Sequence, residues 1–67
     1  MHFSVFEQKN FIHNERIFFT DLGGRGYNGL YKSNYNRGTA EFDFLNFDGS
    51  IIERVSLNNI QVIDRPI

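Results

Sequence analysis

The densest group of side chains able to do chemistry lies between Gly23 and Gly38: Arg25, Tyr27, Tyr31, Lys32, Tyr35 and Arg37. Aromatic rings interleaved with cations can stack on nucleobases and meet phosphates. The same residue types are favoured at protein interfaces, where tyrosine supplies contact area and arginine supplies directional hydrogen bonds. A plainer use would put one or two tyrosines in the core and leave the cations solvated. Charge bears on the choice. Gly23–Gly38 carries +3 and no acid, whereas the rest of the chain holds eight acids and four bases, −4, for a net charge of −1. A long polyanion would be repelled by most of such a molecule. A protein partner contacted through these six residues is therefore the first expectation, and nucleic acid, RNA above all, the alternative.

Other candidates are thinner. His2 and His13 lie eleven residues apart with no cysteine in the chain, and a metal site needs three or four converging ligands. His13 with Glu15 could pair as a base and its orienting acid, but no serine or cysteine nucleophile sits in a recognisable setting. Gly23-Gly24-Arg25-Gly26 lacks the Gly-Lys-Ser/Thr ending and the following helix of a phosphate-binding loop. It reads as a flexible bend. Glu41 and Asp43 alternate with Phe42 and Phe44, so they are expected to face solvent opposite two buried rings. No residue set points to catalysis, a cofactor or a metal, and the expectation is a non-enzymatic protein.

The elements that must position these residues are short strands. Glu41–Ile63 reads EFDFLNFDGSIIERVSLNNIQVI, two apolar-rich runs around Asp48-Gly49. Asp-Gly in that setting predicts a hairpin with a type I′ turn, with φ > 0 at both central residues. A third run, Ile60–Ile63, follows Asn58-Asn59, a natural turn pair. Earlier in the chain, Glu15–Leu22 (ERIFFTDL) has strong strand preference. Tyr27–Tyr35 is expected as a strand with its three tyrosines on one face, and Asn36-Arg37-Gly38 as a turn. Thr39–Phe47 follows as a strand whose apolar phase switches from Phe42 and Phe44 to Leu45 and Phe47, as at a bulge. Met1–Phe6 alternates as a strand would, although Ser4-x-x-Glu7 also fits a helix capping box. The expected core is Phe42, Phe44, Val55, Leu57 and Ile60 or Val62.

Sixty-seven residues make one domain, with a thin stability margin. Without cysteines the core rests on apolar side chains, notably eight phenylalanines. The longest apolar run, Ile17-Phe18-Phe19, is far short of the roughly 20 residues of a membrane span. The first residues lack the basic start and apolar centre of a secretion signal, which makes the cytoplasm the simplest expectation. Abundant Asn, Ile, Phe and Tyr fit an A/T-rich genome, such as that of a phage or a low-GC bacterium.

The fold class expected is all-β, a small barrel of five or six strands. The order ERIFFTDL, GGRG, YNGLYKSNY, TAEFDFLNF, SIIERVSL, LNNI, QVID resembles the Src-homology-3, Tudor and KOW small barrels over about residues 15–64. Residues 1–14 would be an extra strand or arm. That resemblance implies three meandering strands and a one-turn helical link before the last strand. By similarity to Tudor domains it implies an aromatic cage for a methylated side chain, with Tyr27, Tyr31, Phe44 and Phe47 at the matching positions. The chain departs from that pattern in having no tryptophan and in carrying Asn46-Phe47-Asp48 at the aromatic-aspartate-tyrosine turn. Three uses follow: a regulator or inhibitor that occupies the surface of a larger protein, a nucleic-acid-binding barrel, or a subunit that self-associates through an open sheet edge.

Overall fold

The computed structural model describes residues 1–67. A short helix, α1 (Phe3–Gln8), precedes five strands: β1 (Arg16–Asp21), β2 (Gly26–Tyr31), β3 (Glu41–Asn46), β4 (Ile51–Ser56) and β5 (Ile60–Asp64). A single 3-10 turn, Leu57–Asn59, joins β4 to β5. The strands form one antiparallel sheet in the order β4-β3-β2-β1-β5. The all-β expectation holds, with five strands.

Chain connectivity forces this sheet to curl. β4 and β5 are its opposite edges, four strand spacings apart, which would be about 19 Å in a flat sheet. The link from Ser56 to Ile60 could reach only about 14 Å even if fully extended, and a 3-10 turn is shorter still. The edges therefore swing towards each other at the 3-10 turn, yet β4 pairs only with β3 and β5 only with β1. A seam is left between them.

The core fills the concave side: Ile17 and Phe19 from β1, Tyr31 from β2, Phe42 and Phe44 from β3, then Leu57, Ile60 and Ile63, with Phe6 added from α1. Four of the expected core residues, Phe42, Phe44, Leu57 and Ile60, are buried, but Val55 is half-buried and Val62 exposed. Ile63 takes the place expected for Val62. The register of β5 on β1 slips by one residue between Thr20 and Asp21, and this bulge turns both Ile60 and Ile63 inward.

Four local expectations are corrected. Met1–Phe6 is not a strand: Phe3–Gln8 is helical, capped by His2, whose Nδ1 accepts from the Ser4 N–H at 3.1 Å. Helical spacing carries Phe6 into the core, where its ring stacks on Phe42 with centroids 5.1 Å apart. The strand expected over Tyr27–Tyr35 stops at Tyr31, because Ser33 and Asn34 turn left-handed at φ 66° and 58°. β3 shows no phase switch. Phe42, Phe44 and Asn46 all point inward, and Asn46 is satisfied there because its Oδ1 accepts from the Asp48 N–H at 2.9 Å. That bond also shapes the hairpin. β3 and β4 are joined by the four residues Phe47–Ser50, and the left-handed residues are Gly49 and Ser50, one position later than a two-residue Asp48-Gly49 turn requires.

Candidate functional site

An open seam runs beside β4. The Leu57 N–H donates to the Ala40 carbonyl at 2.7 Å, which continues the β3–β4 ladder beyond its Glu41–Ser56 pair. Ladder bonds alternate along an antiparallel pair, so Val55, Glu53 and Ile51 direct their backbone groups at β3. Ile52, Arg54 and Ser56 direct theirs away from the sheet. β4 is thus an edge strand with its outer amide and carbonyl groups unpaired. Ile51 and Ile52 are 57% and 59% exposed, although they point to opposite faces.

Across the seam stands the tip of the β1–β2 hairpin. Between them lies a cleft of about 530 Å³ with Phe19, Tyr27, Val55 and Ile60 among its apolar walls, Asp21 and Glu53 as carboxylates, and Arg54 and Ser56 from the β4 edge. That volume falls within the usual range of ligand sites, about 300–1,000 Å³. The hairpin tip is built on Asp21. Its Oδ1 accepts from the Gly23 and Arg25 N–H groups at 2.9 and 3.0 Å, and its Oδ2 accepts from the Tyr27 hydroxyl at 3.0 Å. These donors, the Arg25 N–H foremost, hold the Asp21 carboxyl below the usual carboxylate range. The bond to Asp21 pushes the Tyr27 hydroxyl up. Tyr27 lies stacked on Phe19, 4.9 Å between centroids, with the Arg25 guanidinium 5.4 Å from its ring.

The six residues singled out in the sequence do not form one patch. Arg25 and Tyr27 sit at the hairpin tip beside the seam. Tyr31 is buried against Phe6, Phe11 and Phe42. The Lys32 ammonium donates to the Asn14 side chain. Tyr35 and Arg37 belong together on Glu7 of α1: the Tyr35 hydroxyl donates to Oε2 at 2.7 Å, and Arg37 grips both carboxylate oxygens at 3.0 and 2.9 Å. Arg37 also covers Phe3, 4.3 Å from its ring centroid. Burial, then the bond to Glu7, pushes the Tyr35 hydroxyl up to about 12, while Arg37 and then Tyr35 hold the Glu7 carboxyl down. This trio fastens the helix to the loop after β2.

The four aromatics at Tudor-like cage positions do not converge either. Tyr31 and Phe44 are core residues, and Phe47 lies under the Arg16 guanidinium at 5.7 Å. His2 bonds to Ser4, and His13 to Ser33 at 2.9 Å. No group of three His, Cys, Asp or Glu side chains is placed to hold a metal ion. No helix is long and apolar enough to cross a membrane.

Sequence reasoning missed the β4 edge, although one signal was available. Ile51 and Ile52 are adjacent, and on a strand with one buried face one of two adjacent side chains must face outward. No protein-family model matches the chain, nor does a curated protein or a solved structure.

Proposed function

We propose that this chain is a non-enzymatic protein-binding module, a regulator or inhibitor that acts by occupying the surface of a larger protein. The observation that carries this reading is β4, an edge strand exposed on both faces, apolar at Ile51 and Ile52, and bordering a cleft with apolar walls. Tyr27 lines the cleft, Arg25 lies over its ring, and both belong to the proposed interface. Lys32, Tyr35 and Arg37 already have intramolecular partners, and Tyr31 is a core residue. The +3 stretch is therefore dispersed, which favours a protein over a nucleic acid.

Affinity capture from a lysate of the source cells, using wild type and the double variant Ile51→Ser, Ile52→Ser, tests the proposal. A protein partner retained by wild type and lost by a variant of unchanged melting temperature is the expected result. Labelled single- and double-stranded DNA and RNA, titrated in parallel, should not bind at physiological salt. Micromolar oligonucleotide binding would replace this reading with the nucleic-acid one.

A further inference from the structure

The seam has the features of a site for an extended peptide. Arg54 would be the natural guard of the β4 edge, since charged side chains there discourage strand pairing. It is instead drawn across β3. Its guanidinium donates to Asp43 Oδ1 at 3.0 Å and to the Asn34 carbonyl at 2.7 Å, and it lies 3.5 Å from Glu41. β4 contains no proline and no lysine, so its outward backbone groups at Ile52, Arg54 and Ser56 are open to a new strand.

Charge selects what that strand should carry. Five of the eight acids are in ion pairs: Glu7, Glu15, Glu41, Asp43 and Asp64. The three left are Asp21, Asp48 and Glu53, and two of these, Asp21 and Glu53, line the cleft. Glu53 has only a 3.4 Å contact from the Asn46 amide. In an antiparallel pair, directly opposite residues share a face. A residue opposite Glu53 would thus project beside Tyr27 and towards Asp21, and its neighbours two positions away would cover Ile51 and Val55.

We propose, resting on the protein-binding reading above, that the seam takes an extended segment of another protein as a sixth strand on β4. Its pattern is apolar-x-Lys/Arg-x-apolar, with the cation between Glu53 and Asp21. A second copy of the chain fits less well. Two-fold pairing of β4 with itself about its centre sets Glu53 against Glu53 or Arg54 against Arg54, and like charges directly opposite are destabilising.

The test is a titration of the isotope-labelled full chain, followed by amide NMR. The probes are the blocked peptides Ile-Thr-Lys-Thr-Val and Ile-Thr-Glu-Thr-Val. The lysine peptide should give saturable shifts centred on the Ile52, Arg54 and Ser56 amides. It should bind about fivefold more tightly than the glutamate peptide, the upper end of what an exposed ion pair contributes. Glu53→Gln, checked for an unchanged melting temperature, should shrink that gap to less than about twofold. Equal affinity for the two peptides would overturn the cation preference. No shift at millimolar peptide would overturn strand addition, and the proposed function would survive only if the capture experiment still returned a partner that the double isoleucine variant loses. Shifts of the same amides that grow with chain concentration, without peptide, would make a second copy the occupant and overturn the proposal.

Discussion

β3 and β4 share six residue pairs of one antiparallel ladder and nevertheless occupy opposite surroundings. β3 alternates cleanly, with Phe42 and Phe44 at 0% exposure, while the first four residues of β4 are all exposed. Apolar content does not explain the difference, because β4 carries Ile51, Ile52 and Val55 against the Phe42, Phe44 and Leu45 of β3. Position in the sheet does. β3 has a strand on each side, and Phe6, Phe19 and Tyr31 pack against its inward rings. β4 has one neighbour and an open seam. Of its three apolar residues only Val55 packs against the core, and Ile51 and Ile52 stay exposed.

The contrast can be broken most sharply from the β3 side. Phe44→Ala removes a fully enclosed ring and should cost about 3–5 kcal/mol, much of the stability of a domain this small. Urea unfolding measures it, and near-wild-type stability would mean that β3 is not the buried strand. Gly29 of β2 tests how tightly β3 is held from its other side. A Cβ there would lie 1.9 Å from the Leu45 carbonyl oxygen and 2.7 Å from the Phe44 ring. Gly29→Ala should therefore destabilise by about 1–3 kcal/mol or more, because a backbone carbonyl in a ladder yields little.

The loop that joins the two strands is the next point of attack. Gly49 sits at φ +86°, a region that β-branched residues resist. Gly49→Val should cost about 1–2 kcal/mol in thermal unfolding. An unchanged melting temperature would show that the loop adopts another conformation.

Acid separates the strands without a mutation. The Asn34 side chain and then the Arg54 guanidinium hold the Asp43 carboxyl below the usual carboxylate range. Its folded value is lowered, so its contribution is complete above the unfolded value of about 4 and fades as the pH falls through the folded one. β4 amides should lose protection from hydrogen exchange in that window before those of β3 do. The smallest effect belongs to β4 itself: Ile52→Thr should change stability by no more than about 0.5 kcal/mol, and a larger loss would mean that the edge is packed.

Much of the fold was legible in the chain. Period-two alternation and β-branched or aromatic runs marked β1, β3, β4 and β5 to within two residues, and the LNNI segment marked the link that became the 3-10 turn. Local chemistry hid the rest. Phe6 satisfies a helix only because Phe42 and Tyr31 wait beneath it. The bulge that turns Ile63 inward in place of Val62 depends on how β5 meets β1. Asn46 lengthens the loop after β3 through a side-chain bond that no apolar pattern contains.

The candidate site divides the same way. Residue types alone determined that tyrosines and cations cluster in Gly23–Gly38, that no cysteine is present and that the core must rest on apolar side chains, phenylalanines foremost. The tertiary structure decided that Tyr31 is a core residue, that Glu7 binds Tyr35 and Arg37, and that Asp21 and Glu53 face one cleft from strands far apart in sequence. It also decided that β4 is an edge. The physical reason is that burial and ion pairing are properties of neighbours. Strand pattern is fixed by residues two positions apart, whereas a neighbour across a curled sheet is fixed only when the whole sheet has curled round its core.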